Sequence, residues 1–181
     1  MRGRWAAARY RLIAVADPMP PAPIGVSLVA AWRRHNGILL LLLDSIPSGG
    51  WTALPTGSRG RDVARQFAHL DRVRRGWLHF HHTGERPSLP RVNAGPPPRK
   101  ASVRRTLAES GENVAAFLAE AFQGTEKVRM FQRDPVRWYT YLISHESHHR
   151  GQIMLSLKQS GIRIPERVRL QGLWGRWISG K

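Results

Sequence analysis

The residues best equipped for chemistry lie in one short run, His145-Glu-Ser-His-His149, which holds three imidazoles and a carboxylate. The run falls inside a segment with helical periodicity. On a helix, positions i and i+4 share a face, with Cβ atoms about 5–6 Å apart. His145 and His149 stand in that relation, so two ring nitrogens can converge on one cation. The chain contains no cysteine, so any metal must be held by histidines and carboxylates. The same spacing also describes histidines that are merely solvated or hydrogen-bonded. A third ligand from elsewhere in the chain separates the two readings.

The elements that must position this run are helical. Val26–Ile46 carries Val29, Trp32, Leu39 and Leu43 at 3-4 spacing, with Asn36 on the same stripe. Pro47-Ser-Gly-Gly ends it, and Trp51–Gly60 reads as a loop. Ser58 or Arg59 is expected to precede a second helix that runs to about Phe80, with Val63, Phe67, Leu70, Val73 and Trp77 on its apolar face and His69 at the edge. A third spans Ala101–Gln123, with Ser110 on its stripe. The fourth opens at Asp134-Pro135, where Asp caps and Pro takes the first helical position. It ends near Ser160-Gly161, and Pro165 blocks its resumption. Its inward stripe is Trp138, Leu142, His145, His149 and Ile153. Beyond it, Leu170, Leu173, Trp174 and Trp177 predict a short helix packed on the bundle or on a second subunit.

Between helices two and three, Thr83–Lys100 carries five prolines, and a loop of that length inside a compact domain calls for a reason. Extended, it reaches up to about 60 Å, roughly twice the length of a 20-residue helix. It can therefore run the length of a bundle and start the next helix at the same end as its predecessor. The expected fold is all-α, a four-helix bundle in up-down-down-up order with this crossover. Residues 1–25, which end in a proline-rich run, are expected to be a flexible basic extension. Residues 26–181 form the bundle with a basic, Trp-containing tail.

Each helix carries a polar group on or beside its apolar face: Asn36, His69, Ser110, and His145 with His149. Leaving one such group buried and unpaired costs about 1–3 kcal/mol, so the four helices are expected to gather them at one site. His69, His145 and His149 then supply three imidazoles, the ligand count of an open catalytic metal site. Asn36 and Ser110 would support the ligands or face substrate, or else be satisfied core residues. His79, His81 and His82 suit a solvated helix end, and His35 a partly exposed position. His148 lies about 100° from His149 around the helix and ranks below it as a ligand.

The net charge of +17 is attractive to phosphate-bearing partners, but the basic residues are scattered rather than gathered in one run. Nucleic-acid binding is thus an alternative function, with any metal then structural. The longest apolar run, Ile38–Leu43, is far short of the roughly 20 residues of a membrane span. The expected setting is cytoplasmic, without a membrane partner.

The run His145-Glu146-Ser-His-His149 also matches the His-Glu-x-x-His motif of zinc proteases, with Glu146 as the general base. The extended metzincin pattern is missing, since Gln152 and Leu155 stand where it needs Gly and His. A second resemblance covers more of the chain. Trp32…Asn36…Leu39-Leu40…Ile46-Pro47, then Phe67-Ala-His69-Leu70…Trp77, then Ser144-His145-Glu-Ser-His-His149-Arg-Gly-Gln-Ile153 is similar to the DinB/YfiT-like superfamily, from about Val26 to Ile162. That resemblance implies a four-helix bundle with a divalent ion such as zinc or nickel on His69, His145 and His149. It also implies a frequent homodimer and, in several branches, a low-molecular-weight thiol as cosubstrate. The expected function is therefore a metal-dependent enzyme, a thiol S-transferase or hydrolase. It would activate a thiol or water towards a small-molecule substrate, with Glu146 as candidate base.

Overall fold

The computed structural model describes residues 22–179. The described residues are helical, without strands. The four long helices are α1 (Ile24–Ser45), α2 (Val63–Thr83), α3 (Lys100–Gln123) and α4 (Pro135–Gln159). An expected extension over residues 1–25 lies almost wholly outside the described residues, and α1 begins two residues earlier than its periodicity suggests. Helix α2 begins later than expected. Asp62, not Ser58 or Arg59, is its cap, and the carboxylate accepts the Arg65 amide at 2.7 Å. Two further bonds fix the start: Val63 N–H donates to Ala53 O and Ala64 N–H to Trp51 O. Gly84 and Gly124 end α2 and α3 with φ of 80° and 82°, the left-handed conformation that glycine adopts freely. Helix α4 has the cap expected of it: Asp134 accepts the Val136 amide, and Pro135 occupies the first turn.

The order is up-down-down-up. Lys100 at the start of α3 donates to Ile46 O just past the end of α1, and Trp32 Nε1 donates to Gly111 O further along. Helices α1 and α3 are thus antiparallel. Trp51, whose carbonyl accepts from Ala64 in the first turn of α2, donates through Nε1 to Pro98 O just before α3. At the far end the rings of His81 and Phe117 are 5.2 Å apart, so α2 and α3 run in the same direction. The stretch Gly84–Arg99 makes the crossover that this requires. Helix α4 runs against α2, with His81 meeting Trp138 at one end and Gln66 meeting His149 towards the other.

The core has two apolar halves. One gathers Leu39, Leu43, Phe67, Leu70, Leu107, Ile153 and Leu157. The other gathers Trp32, Leu78, Val114, Phe117, Trp138 and Leu142. Between them lies a buried polar layer to which all four helices contribute: His35 and Asn36 on α1, Arg74 on α2, Ser110 on α3 and Glu146 on α4. The helices approach closely here. A Cβ on Gly111 would fall 2.3 Å from the Asn36 amide, so only glycine fits.

The tail packs on α1, but in a different register from the one expected. Val168–Gly175 forms a π-helical segment followed by the short α5 (Arg176–Ser179). A π turn is wider than an α turn, so Val168, Leu173 and Trp177 reach the core. Leu170 and Trp174, expected to be buried with Leu173, are exposed.

Candidate metal centre

Three imidazoles meet on the seam between α2 and α4. His69, His145 and His149 each offer a ring nitrogen, and the three nitrogens lie within 4.8 Å of one another. The ring centroids are 4.7–5.3 Å apart. Helical geometry delivers this: the i, i+4 pair on α4 faces the single His on the antiparallel α2. His149 is buried, while His69 and His145 are half-buried, so the cluster can be reached from outside.

The surroundings keep these rings neutral. Burial, followed by the charges of Arg61, His149, His145 and Arg72, brings the His69 pKa down to about 3. Burial, then His145, His148 and Arg61, brings His149 down to about 4. Burial also lowers His145, against the opposing charge of Glu146. A neutral imidazole is the form that ligates metal, and here no proton has to be expelled at neutral pH.

Two further observations fit a cation. The Nδ1 of His145 is buried without a hydrogen-bond partner, a cost that coordination at that ring could relieve. His149 Nδ1 lies 3.2 Å from Gln66 Oε1. If the ring donates there, Nε2 keeps its lone pair and the ring is held in one orientation, as partners of metal-bound histidines commonly do. Gln66 in turn reaches Arg61 O at 3.4 Å. The sequence held a signal for Gln66: it is three residues before His69 and therefore on a neighbouring face of the same helix.

The remaining candidates are elsewhere. Both oxygens of Glu146 are occupied. Arg74 Nε and Nη2 donate to them at 2.6 and 2.7 Å, and His35 Nε2 lies 2.9 Å from Oε2. Burial pushes this carboxyl up, but the charge and hydrogen bonds of Arg74, with His35 beside it, more than offset that and hold it at about 2. An ionised, fully bonded carboxylate of that pKa is a poor general base at neutral pH, and the protease reading loses its catalytic group. Asn36 accepts from Arg74 Nη1 at 2.9 Å, and Ser110 bonds Leu107 O in its own helix. Among the described residues, no hydrogen bond joins either to His69, His145 or His149. The inward polar groups therefore form two sites rather than the single one expected.

His35, expected to be partly exposed, is buried against Glu146. His81, expected at a solvated helix end, is also buried, its ring stacked on Phe117 and edge-on to Trp138. Its Nδ1 accepts the Arg129 amide. His148 is exposed and accepts from Gln152.

The sequence model of the DinB family matches residues 21–170. The chain belongs to the DinB family. Compared with curated proteins, it has no match. The family match spans all four long helices, including the three histidines of the cluster. Among the described residues of this DinB-family chain, no helix is long and apolar enough to cross a membrane.

Proposed function

We propose that this chain is a divalent-metal-dependent enzyme of the thiol S-transferase or hydrolase type, with the ion held by His69, His145 and His149. The observation that carries the reading is the convergence of three neutral ring nitrogens within 4.8 Å. Imidazole ligands suit zinc and nickel, and three protein ligands leave coordination positions free. When bound, such an ion supplies Lewis acidity that lowers the pKa of a thiol or water. The chain's own residues do the rest. Gln66 fixes the His149 ring. Tyr141, stacked on His145 with centroids 5.6 Å apart, holds that ring from the other side. Arg61 adds positive charge that favours the deprotonated form of an incoming thiol.

Metal analysis of protein purified under metal-replete conditions tests the reading. One divalent ion per chain is expected in wild type and much less in His69→Ala and His149→Ala. A wild-type protein without stoichiometric metal refutes it. Thiol-dependent turnover of electrophiles is then expected to vanish with a chelator. If chelation lowers the melting temperature and no such turnover is found in the loaded protein, the ion is a staple between α2 and α4 and the enzymatic part falls.

A further inference from the structure

A groove of about 490 Å³ opens beside the imidazole cluster, within the range of small-molecule sites. Its apolar wall is formed by Val73, Trp77 and Phe80 of α2, Tyr141 of α4, and Pro87 and Leu89 of the crossover. The α2 residues continue the line of His69 at i+4, i+8 and i+11, so groove and cluster share one helix face. Tyr141 stands between them, one turn before His145 and stacked on it. The proline-rich crossover thus does more than reach the far end of the bundle: it forms one side of this groove.

The groove contains two cations and no carboxylate. Arg72 and Arg86 line it, and no acidic residue does. Arg72 is held in place by Pro90 O at 2.9 Å and Leu89 O at 3.1 Å. Those carbonyls satisfy N–H groups but leave the positive charge unbalanced. Arg86, exposed on the crossover, makes no ion pair among the described residues. The same imbalance extends to the cluster, where Arg61 and three neutral imidazoles surround the cation's place without an anionic ligand. A larger cavity, between the end of α4 and the tail, touches none of the three histidines.

We infer that this groove binds a small anionic substrate with an aromatic or other planar apolar body, the body against Trp77, Phe80 and Tyr141 and the anionic group on Arg72 and Arg86. Its role as a substrate site rests on the metal-centre reading; its ability to bind such an anion does not. The occupant follows from the lining. Aromatic walls take a flat apolar body, and an unbalanced guanidinium pair takes a carboxylate or sulfonate.

The test uses the full chain, metal-loaded and chelator-treated, with 2-naphthoate as probe and 2-naphthalenemethanol as its neutral counterpart. Binding is followed by calorimetry. The acid is expected to bind about tenfold tighter than the alcohol, the worth of roughly one charge-assisted hydrogen bond. Arg86→Gln, an exposed loop change that leaves the helices intact, is expected to remove most of that preference, and Arg72→Gln the remainder. Metal stoichiometry is expected to be unchanged in Arg86→Gln. Equal affinity for acid and alcohol, no binding of either, or a preference that persists in both arginine variants overturns the inference. A wild type that binds naphthoate but no metal overturns the metal centre and leaves the groove standing.

Discussion

The assignment of Glu146 can be decided by removing it. In the folded chain its side chain is 1% exposed and that of Arg74 is fully buried. Glu146→Leu deletes two bonds from Arg74 and one from His35. Arg74 is left with the uncharged acceptors Asn36 Oδ1 and Leu107 O, both at 2.9 Å. An uncompensated buried charge of this kind costs about 3–5 kcal/mol. For a domain of this size each kcal/mol moves the melting temperature by about 2–4 °C, so a drop of about 6–20 °C is expected. Arg74→Met with Glu146→Leu removes both charges at once. The double variant is expected to be more stable than Glu146→Leu alone, because what remains is Asn36 and His35 with one partner fewer rather than a bare guanidinium. Thermal and urea denaturation of wild type and the two variants measure this, with metal stoichiometry determined alongside. Glu146→Leu is expected to be destabilised while its folded fraction still binds the ion. A variant that melts within a degree or two of wild type, or that keeps its stability and loses the metal, refutes the reasoning and returns Glu146 to the metal centre.

Two other outcomes follow from the geometry. Gln66→Leu removes the hydrogen-bond partner of His149 Nδ1 but none of the three ligands, so metal affinity is expected to fall about 10- to 100-fold while saturation still reaches one ion per chain; competition with a chromophoric chelator measures it. His81 titrates near 6.5 in the unfolded chain, and burial, then His82 and Arg129, lowers it to about 4 in the folded one. Between those values the unfolded state binds the extra proton, so this contribution to stability is fully present above pH 6.5 and lost as pH falls towards 4. Urea midpoints at pH 7 and pH 4.5 are expected to differ less in His81→Phe than in wild type, and an unchanged difference removes His81 from the acid response.

Much of the fold could be read from the sequence because local signals agreed with it. The 3-4 stripes, the Asp134-Pro135 cap and the long proline-rich gap each point to helices of the observed type and to a crossover. The three-histidine cluster was legible for the same reason. Two of its members share one helix at i, i+4, and the third lies at the apolar edge of α2, one turn before Val73. The tail failed because its register depends on a π-helical segment, and a wider turn leaves no mark in a periodicity counted at 3.6 residues.

The buried network was missed for a different reason, and it explains why the His-Glu-x-x-His pattern misleads here. Arg74 sits five residues after His69, about 140° around α2. Glu146 is turned about 100° from His145 on α4. The two helices therefore present two seams to their neighbours. One, carrying the histidines, lies along α2 and α4 and is half open to solvent. The other faces the centre of the bundle, where α1 supplies His35 and Asn36 and α3 supplies Leu107 O. A motif defined along one helix records only that Glu146 and His145 are adjacent in sequence. Which seam the carboxylate joins is set by a guanidinium 72 positions earlier in the chain. One sequence signal pointed that way: Arg74 falls four residues after Leu70 on the apolar stripe of α2. A charge at a core position demands an opposite charge from another helix. Glu146 is the acidic residue beside the inward stripe of α4, so the two form a pair, and the three histidines stand apart as a cluster that could hold a metal ion.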